Sequence, residues 1–113
     1  MSLSPECTHT TTHTHRLRLG LDAQASVDAP RFAIQNADTE RDTMTSLVDI
    51  ESGFGIELLD ELRAMGHDLN VLPEHDAFER GSAVGKAQII ALLPGGALCA
   101  GSDPRADGCA FGY

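Results

Sequence analysis

The sequence has no tryptophan, a single tyrosine and only four phenylalanines in 113 residues. A core must therefore come from Leu, Ile, Val and Ala, without large aromatic anchors. Bases are also scarce. Eight Lys and Arg face 17 Asp and Glu, for a net charge of −9. That balance argues against nucleic acid and anionic membrane as partners, because both are held by clustered cations. The three cysteines, Cys7, Cys99 and Cys109, are too few and too irregular for a disulfide framework. Cys99 and Cys109 flank the last turn-rich stretch and read either as a pair or as small buried thiols. No apolar run approaches the ~20 residues of a membrane span. The N-terminus lacks the apolar h-region of a secretory signal, and no compartment is implied.

What remains is an ordinary globular composition, 42% hydrophobic. The length fits one domain or part of one. A chain of this size buries about two-thirds of its unfolded surface, while ordering costs roughly 1.5 kcal/mol per residue. An irregular chain this small is therefore short of stabilisation on its own.

Two parts are visible. Residues 1–15 alternate threonine and histidine without apolar periodicity and read as a low-complexity, disordered tail. His9, His13 and His15, with Cys7, have the chemistry of transition-metal ligands, but no scaffold or supporting partners surround them, and no metal is assigned. Residues 16–113 carry the order. Leu17, Leu19 and Leu21 supply apolar surface, and Asp22 caps a short helix that Pro30 ends. Gln35 to Thr43 reads as a polar loop. Thr45 to Glu51 reads as a strand, followed by a Ser52-capped helix from Gly53 to Met65 with Leu58, Leu62 and Met65 on one face. Gly66 is the expected C′ residue, and Asp68 to Leu72 alternates as a strand. Pro73 to Ala83 reads as an exposed loop. Ala87 to Leu93 is nearly all apolar and predicts a strand buried on both faces. Pro94-Gly95-Gly96 turns it back through Ala97 to Gly101, a β-hairpin. The order predicts an α/β (α+β) layer in which one sheet packs on helices.

The hairpin delivers Gly101-Ser102-Asp103-Pro104-Arg105-Ala106-Asp107-Gly108. Asp103-Pro104 opens a turn and Asp107-Gly108 closes it, with Gly108 free to take positive φ. Arg105 between Asp103 and Asp107 is expected to brace both carboxylates with charge-assisted bonds, a structural role. Glu51 reads as a capping or loop-bracing acid. His67 is expected to serve the end of the preceding helix, and His75 to be solvated. No Ser/His/Asp or Cys/His/Asp set emerges at a meaningful spacing.

Taken as a series, the landmarks resemble the C-terminal part of the small catalytic subunit of the gamma-glutamyltranspeptidases. They are Gly20-Leu21 with Asp28-Ala29-Pro30-Arg31-Phe32, then Ile50-Glu51, then Leu62 with Gly66-His67, then Ala87-Gln88-Ile89-Ile90. The Gly101–Gly108 block and the closing Gly112-Tyr113 complete them. The resemblance covers residues 16 to 113. Ala33-Ile34 after Phe32, and Arg80 with Gly85-Lys86-Ala87-Gln88, favour a transpeptidase-like, acylase-like branch. Such a family implies an N-terminal-nucleophile hydrolase with a four-layer αββα sandwich. A threonine exposed by self-cleavage would attack a γ-glutamyl amide, as in glutathione, and no cofactor or metal would be required. By the resemblance, Pro30, Arg31, Phe32, Glu51, Gly66, His67, Gln88, Asp103, Pro104, Arg105, Asp107 and Gly108 are framework residues. In the family the nucleophile and substrate binders precede the Asp-Ala-Pro-Arg-Phe block by a long stretch, and here only residues 1–15 and a short apolar run do so. No catalytic or substrate-binding residue is therefore carried over, Thr11 of Thr11-Thr12-His13 being the alternative nucleophile. The expectation is a fragment, inactive alone, whose partner is the remainder of such an enzyme or another copy of itself. The alternative is a free-standing small structural or binding domain.

Overall fold

The structure, a computed structural model, describes residues 6–35 and 47–112, with side chains from residue 12 onward. In order it runs α1 (Glu6–Leu17), α2 (Ala23–Asp28), β1 (Phe32–Ile34), β2 (Leu47–Glu51), a 3-10 turn (Ser52–Phe54), α3 (Ile56–Ala64), β3 (Asp68–Leu72), α4 (Ala77–Val84), β4 (Gln88–Leu92) and β5 (Leu98–Ser102). The mixed helix-and-strand class is as expected from the sequence. The strands, however, form two sheets. β1, β2 and β3 make one, with β1 antiparallel and β3 parallel to β2, and β4 and β5 make a separate hairpin.

Local chemistry explains most element ends. The Asp22 carboxylate accepts from the Ala25 amide at 2.7 Å and starts α2. At the end of α3, Gly66 takes φ +94. The His67 amide donates to Leu62 O at 3.1 Å and the Gly66 amide to Arg63 O at 2.9 Å, the paired bonds of a Schellman motif. His67 thus serves the helix end through its backbone, and its side chain is exposed. The hairpin turns at Leu93–Gly96, where the Gly96 amide donates to Leu93 O and Gly95 has φ +98. Proline followed by a positive-φ glycine fits a type II turn.

Several expectations are corrected. The segment 6–15 is not without structure, since α1 starts at Glu6. Leu17 and Leu19, which supply apolar surface, are largely exposed. The three-residue strand β1 was not anticipated; it is too short to show a period. The Gly53–Met65 helix is interrupted at Gly55, whose φ of +83 separates the 3-10 turn from α3. Pro73 to Ala83 is not all loop, because α4 occupies most of it. The Asp76 carboxylate caps the Glu79 amide at 2.8 Å. The expected polar loop falls mostly on residues 36–43, outside the described residues.

The core lies on both faces of the three-stranded sheet. Val48, Ile50 and Leu59 pack with Phe54, Leu62, Leu69 and Val71 on the α3 side. Ala33, Leu72 and Val84 pack on the α4 side. The hairpin lays β5 and β4 against α2. Gly101 is buried there, and Gln24 of α2 bonds the strand backbone twice, to Ser102 O at 2.9 Å and from Ser102 N at 3.1 Å. The strand β4 is not buried on both faces. Ile90 and Leu92, with Leu98 opposite, are 71% to 75% exposed. Only the alternate residues turn toward α2, so the apolar run has a second face with no cover among the described residues.

Candidate functional site

Strand β2 alternates, so Asp49 and Glu51 share one face while Val48 and Ile50 take the other. Glu51 ends the strand beside the α2–β1 connection. The terminal loop after β5 arrives at the same place from the other sheet. The result is a buried charge cluster of Arg31, Glu51, Asp103 and Arg105, none more than 3% exposed.

Arg105 is at its centre. Its Nε donates to Glu51 Oε1 at 2.6 Å and its Nη2 to Glu51 Oε2 at 2.5 Å, a bidentate pair. The Nη2 also reaches Ala29 O at 3.1 Å. The Nη1 reaches Val27 O at 2.8 Å and Asp103 Oδ1 at 3.0 Å. A guanidinium has five N–H donors, and each has an acceptor here. Asp103 is equally saturated. Its Oδ1 accepts from the Arg105 amide and guanidinium, and its Oδ2 from the Ala87 amide at 2.8 Å and Arg31 Nη1 at 2.7 Å. Arg31 further donates from Nη1 to Gly85 O and from Nη2 to Val27 O, and its own amide donates to Glu51 Oε2 at 2.8 Å. Its Nε is buried without a partner. Arg80 of α4 touches the cluster more loosely, through Nη1 to Glu51 Oε1 at 3.4 Å.

The expected brace is therefore half realised. Arg105 binds Asp103, but its second carboxylate is Glu51, 54 positions earlier, and not Asp107, which is exposed. Gly108 is likewise not among the positive-φ glycines. It lies against Gln88, whose Nε2 donates to Ser102 Oγ at 3.1 Å, so a Cβ at Gly108 would displace only the end of that side chain. Of the other framework residues, Pro30 borders the cluster. Phe32 packs at a tilt on Phe54 with centroids 6.4 Å apart. Pro104 and Gly66 are exposed, and Gly66 and His67 lie at the far end of α3. Thr11 falls in α1, but its side chain lies outside the described residues, as do those of Cys7 and His9. His13 is exposed and His15 half-buried.

One buried acid was missed. Asp49 is 1% exposed, held by Asn70 Nδ2 at 2.7 Å and by Gln35 Nε2. The sequence carries no signal for it, since an acid between Val48 and Ile50 in an alternating strand ordinarily faces solvent.

Electrostatically the cluster is a fixed ionic lattice. Burial acts to raise the Asp103 carboxyl, but the Arg105 amide, the Arg31 charge, the Ala87 amide and the Arg105 guanidinium outweigh it and hold the group below its usual range. Burial acts to lower Arg105, and the Glu51 and Asp103 carboxylates overcome it, so its guanidinium is held more firmly protonated. Arg31 is lowered, by burial first and also by neighbouring Arg105, with Asp103 opposing. A carboxyl depressed in the folded state contributes stability that is complete above its unfolded value, about 3.9, and is lost as pH falls through the folded value. Acid should therefore loosen the terminal loop below about pH 4. In Asp103→Asn that part of the acid limb should be absent, at the cost of lower stability at neutral pH. Hydrogen-exchange protection of the Ala87 and Arg105 amides measured across the acid range would check both. An unchanged acid limb in the variant would refute the assignment.

Among the described residues no serine, threonine or cysteine side chain donates to a histidine or carboxylate, and no three His, Cys, Asp or Glu side chains gather as metal ligands. The arrangement ties together α2, β1, β2, α4 and the terminal loop. Its carboxylates are occupied by arginines rather than presented to a substrate.

Comparison with known proteins follows the same lines. The family model described as gamma-glutamyltranspeptidase matches residues 6–113, ten residues earlier than the resemblance seen from residue 16. A curated relative, the oxamate amidohydrolase proenzyme of Klebsiella pneumoniae, is 31% identical over 105 residues, 88% of this chain and 17% of the relative. The cephalosporin acylase of Bacillus halodurans superposes with a TM-score of 0.66 at 29% identity, over 94% of this chain and 18% of that one. An acivicin-inhibited gamma-glutamyltranspeptidase superposes with a TM-score of 0.66 at 23% identity, over 90% of this chain and 48% of that one. The chain thus spans about a sixth of the curated relative and no more than about half of these solved chains.

Proposed function

The chain belongs to the gamma-glutamyltranspeptidase family, and from that premise we propose that it is a framework segment of a larger amide-cleaving or acyl-transferring enzyme, without turnover of its own. Residues 16–113 correspond to the C-terminal part of the small catalytic subunit. The reaction of the whole enzyme would be γ-glutamyl transfer or hydrolysis, by an N-terminal threonine and without a cofactor. The relatives' names point to related amide substrates, an oxamate for one and a cephalosporin for another. One solved relative is described as having a C-terminus critical to autoprocessing and catalysis, a role that suits a rigid segment braced against the rest.

The observation that carries the proposal is the saturated cluster around Arg105. Every donor of that guanidinium and every contact of Asp103 turn inward to the chain's own backbone and side chains. Such a group fixes geometry and has no lone pair or proton left for a substrate. Two further facts favour a part over a complete domain. The outer face of the hairpin leaves Ile90, Leu92 and Leu98 uncovered, an apolar surface of the kind that meets a neighbour. The radius of gyration, 15.7 Å, exceeds the roughly 13 Å of a compact domain of about 100 residues. The neighbour would be the remainder of the enzyme.

The purified chain is expected to release no p-nitroaniline from a γ-glutamyl anilide, to bind an apolar dye and to melt without a sharp transition. Turnover abolished by Thr11→Ala would overturn the proposal in favour of a complete catalyst. A single sharp transition of a dye-silent monomer would instead favour a free-standing domain.

A further inference from the structure

A cleft of about 180 Å³ opens beside the cluster, walled by Asp28, Pro30, Glu51, Ser52, Glu74 and Arg80, with Arg105 behind. We propose that it binds a small monocarboxylate through Arg80. The charge count of the cluster is uneven, with three guanidinium groups, Arg31, Arg80 and Arg105, facing two carboxylates, Glu51 and Asp103. Both carboxylates are committed. Glu51 Oε1 already accepts from Arg105 Nε at 2.6 Å, so Arg80 at 3.4 Å takes only the remainder of that oxygen. That contact is the one side-chain bond of Arg80 among the described residues, so its Nη2 has no partner there, while its Nε is buried away from the cleft. A guanidinium with open donors on a concave wall is suited to a carboxylate, which it can hold with two parallel bonds.

The walls select the ligand's charge. Asp28 and Glu74 are exposed on the rim, where they repel a dianion more strongly than a monoanion. Ser52 adds a neutral donor and acceptor at the wall. The site is independent of the framework role proposed above, because binding is read on this chain alone and involves no turnover.

The test is a titration of the isotope-labelled chain with sodium acetate at neutral pH and constant ionic strength, balanced with chloride, following the backbone amide resonance of Ser52 at the cleft wall. A saturable shift is expected, lost in Arg80→Gln. In Glu74→Gln, an exposed position that should fold normally, acetate should bind at least threefold more tightly. Phosphate should bind more weakly than acetate. A shift that is linear in acetate, that chloride reproduces, that survives in Arg80→Gln, or that is unaffected by Glu74→Gln would overturn the site. So would tighter binding of phosphate. If Arg80→Gln does not fold, the Glu74→Gln comparison decides alone.

Discussion

Arg105→Ala is expected to cost about 3–5 kcal/mol of local stability, the range for removing one partner of a buried ion pair. The reason is the number of groups left behind. Glu51 would lose its bidentate partner, Asp103 would lose one of its two guanidinium contacts, and the Val27 and Ala29 carbonyls would lose donors. Glu51 and Asp103 are almost fully buried, so solvent cannot replace their bonds cheaply. Arg105→Lys should recover little, because a single ammonium cannot reproduce the planar fork that meets Glu51 with two bonds. Asp107→Ala, two residues on and exposed, should stay within about 0.5 kcal/mol. Amide hydrogen exchange gives a readout that does not require a sharp global transition. The Ala87 and Arg105 amides, both held by Asp103, should lose protection together in Arg105→Ala and keep it in Asp107→Ala. If Arg105→Ala left both protected, or if Asp107→Ala exposed them equally, the brace would belong to the terminal loop alone and not to the cluster with Glu51.

How much of this was legible depends on the range of the interaction. Local signals read well. Asp22 before an alanine-rich segment, Gly66 after a periodic one, and Pro94-Gly95 between apolar runs each act through bonds to residues within a turn. The Asp76–Glu79 cap is equally local, but the segment after it is polar and reads as loop. Gly81 is buried in a helix that approaches Arg105 O, so it marks close packing and not a loop. Long-range facts were not legible. Arg105 has acids two residues away on either side, and spacing alone makes them its partners. The fold instead brings Glu51 from 54 positions away and points Asp107 outward. The apolar run of β4 was read as buried on both faces because its outer residues are as hydrophobic as its inner ones. In the framework role proposed above, that exposed apolar face is the surface the rest of the enzyme would cover. For α1, threonine and histidine are poor helix formers, and its contacts with α2 and β1 are tertiary.

Gly101→Ala should be as damaging as the loss of Arg105, by a different physical route. A Cβ at this position would sit 2.4 Å from Ala23 O, 2.6 Å from Ala23 C and 2.9 Å from Gln24 N. All three are backbone atoms of α2, so no side chain can rotate away to relieve the clash. Inserting a methyl group into well-packed surroundings costs about 1–3 kcal/mol when neighbours can adjust. Here they cannot without lifting α2 off β5, so the upper end of that range or more is expected. The lift would break both bonds between Gln24 and Ser102, and it would pull on Val27 O and Ala29 O, which hold Arg105. Gly112→Ala is the control, since nothing lies within 4 Å of its added Cβ. Hydrogen exchange should again localise the effect. The Ser102 amide should lose protection, while the Leu93 amide, bonded within the hairpin turn to Ala97 O at 2.8 Å, should keep it. In a complete family enzyme the same substitution should lower the yield of assembled protein and leave the KM of what assembles unchanged. A normal yield with an altered KM would place this helix–strand contact in substrate recognition instead of in the framework.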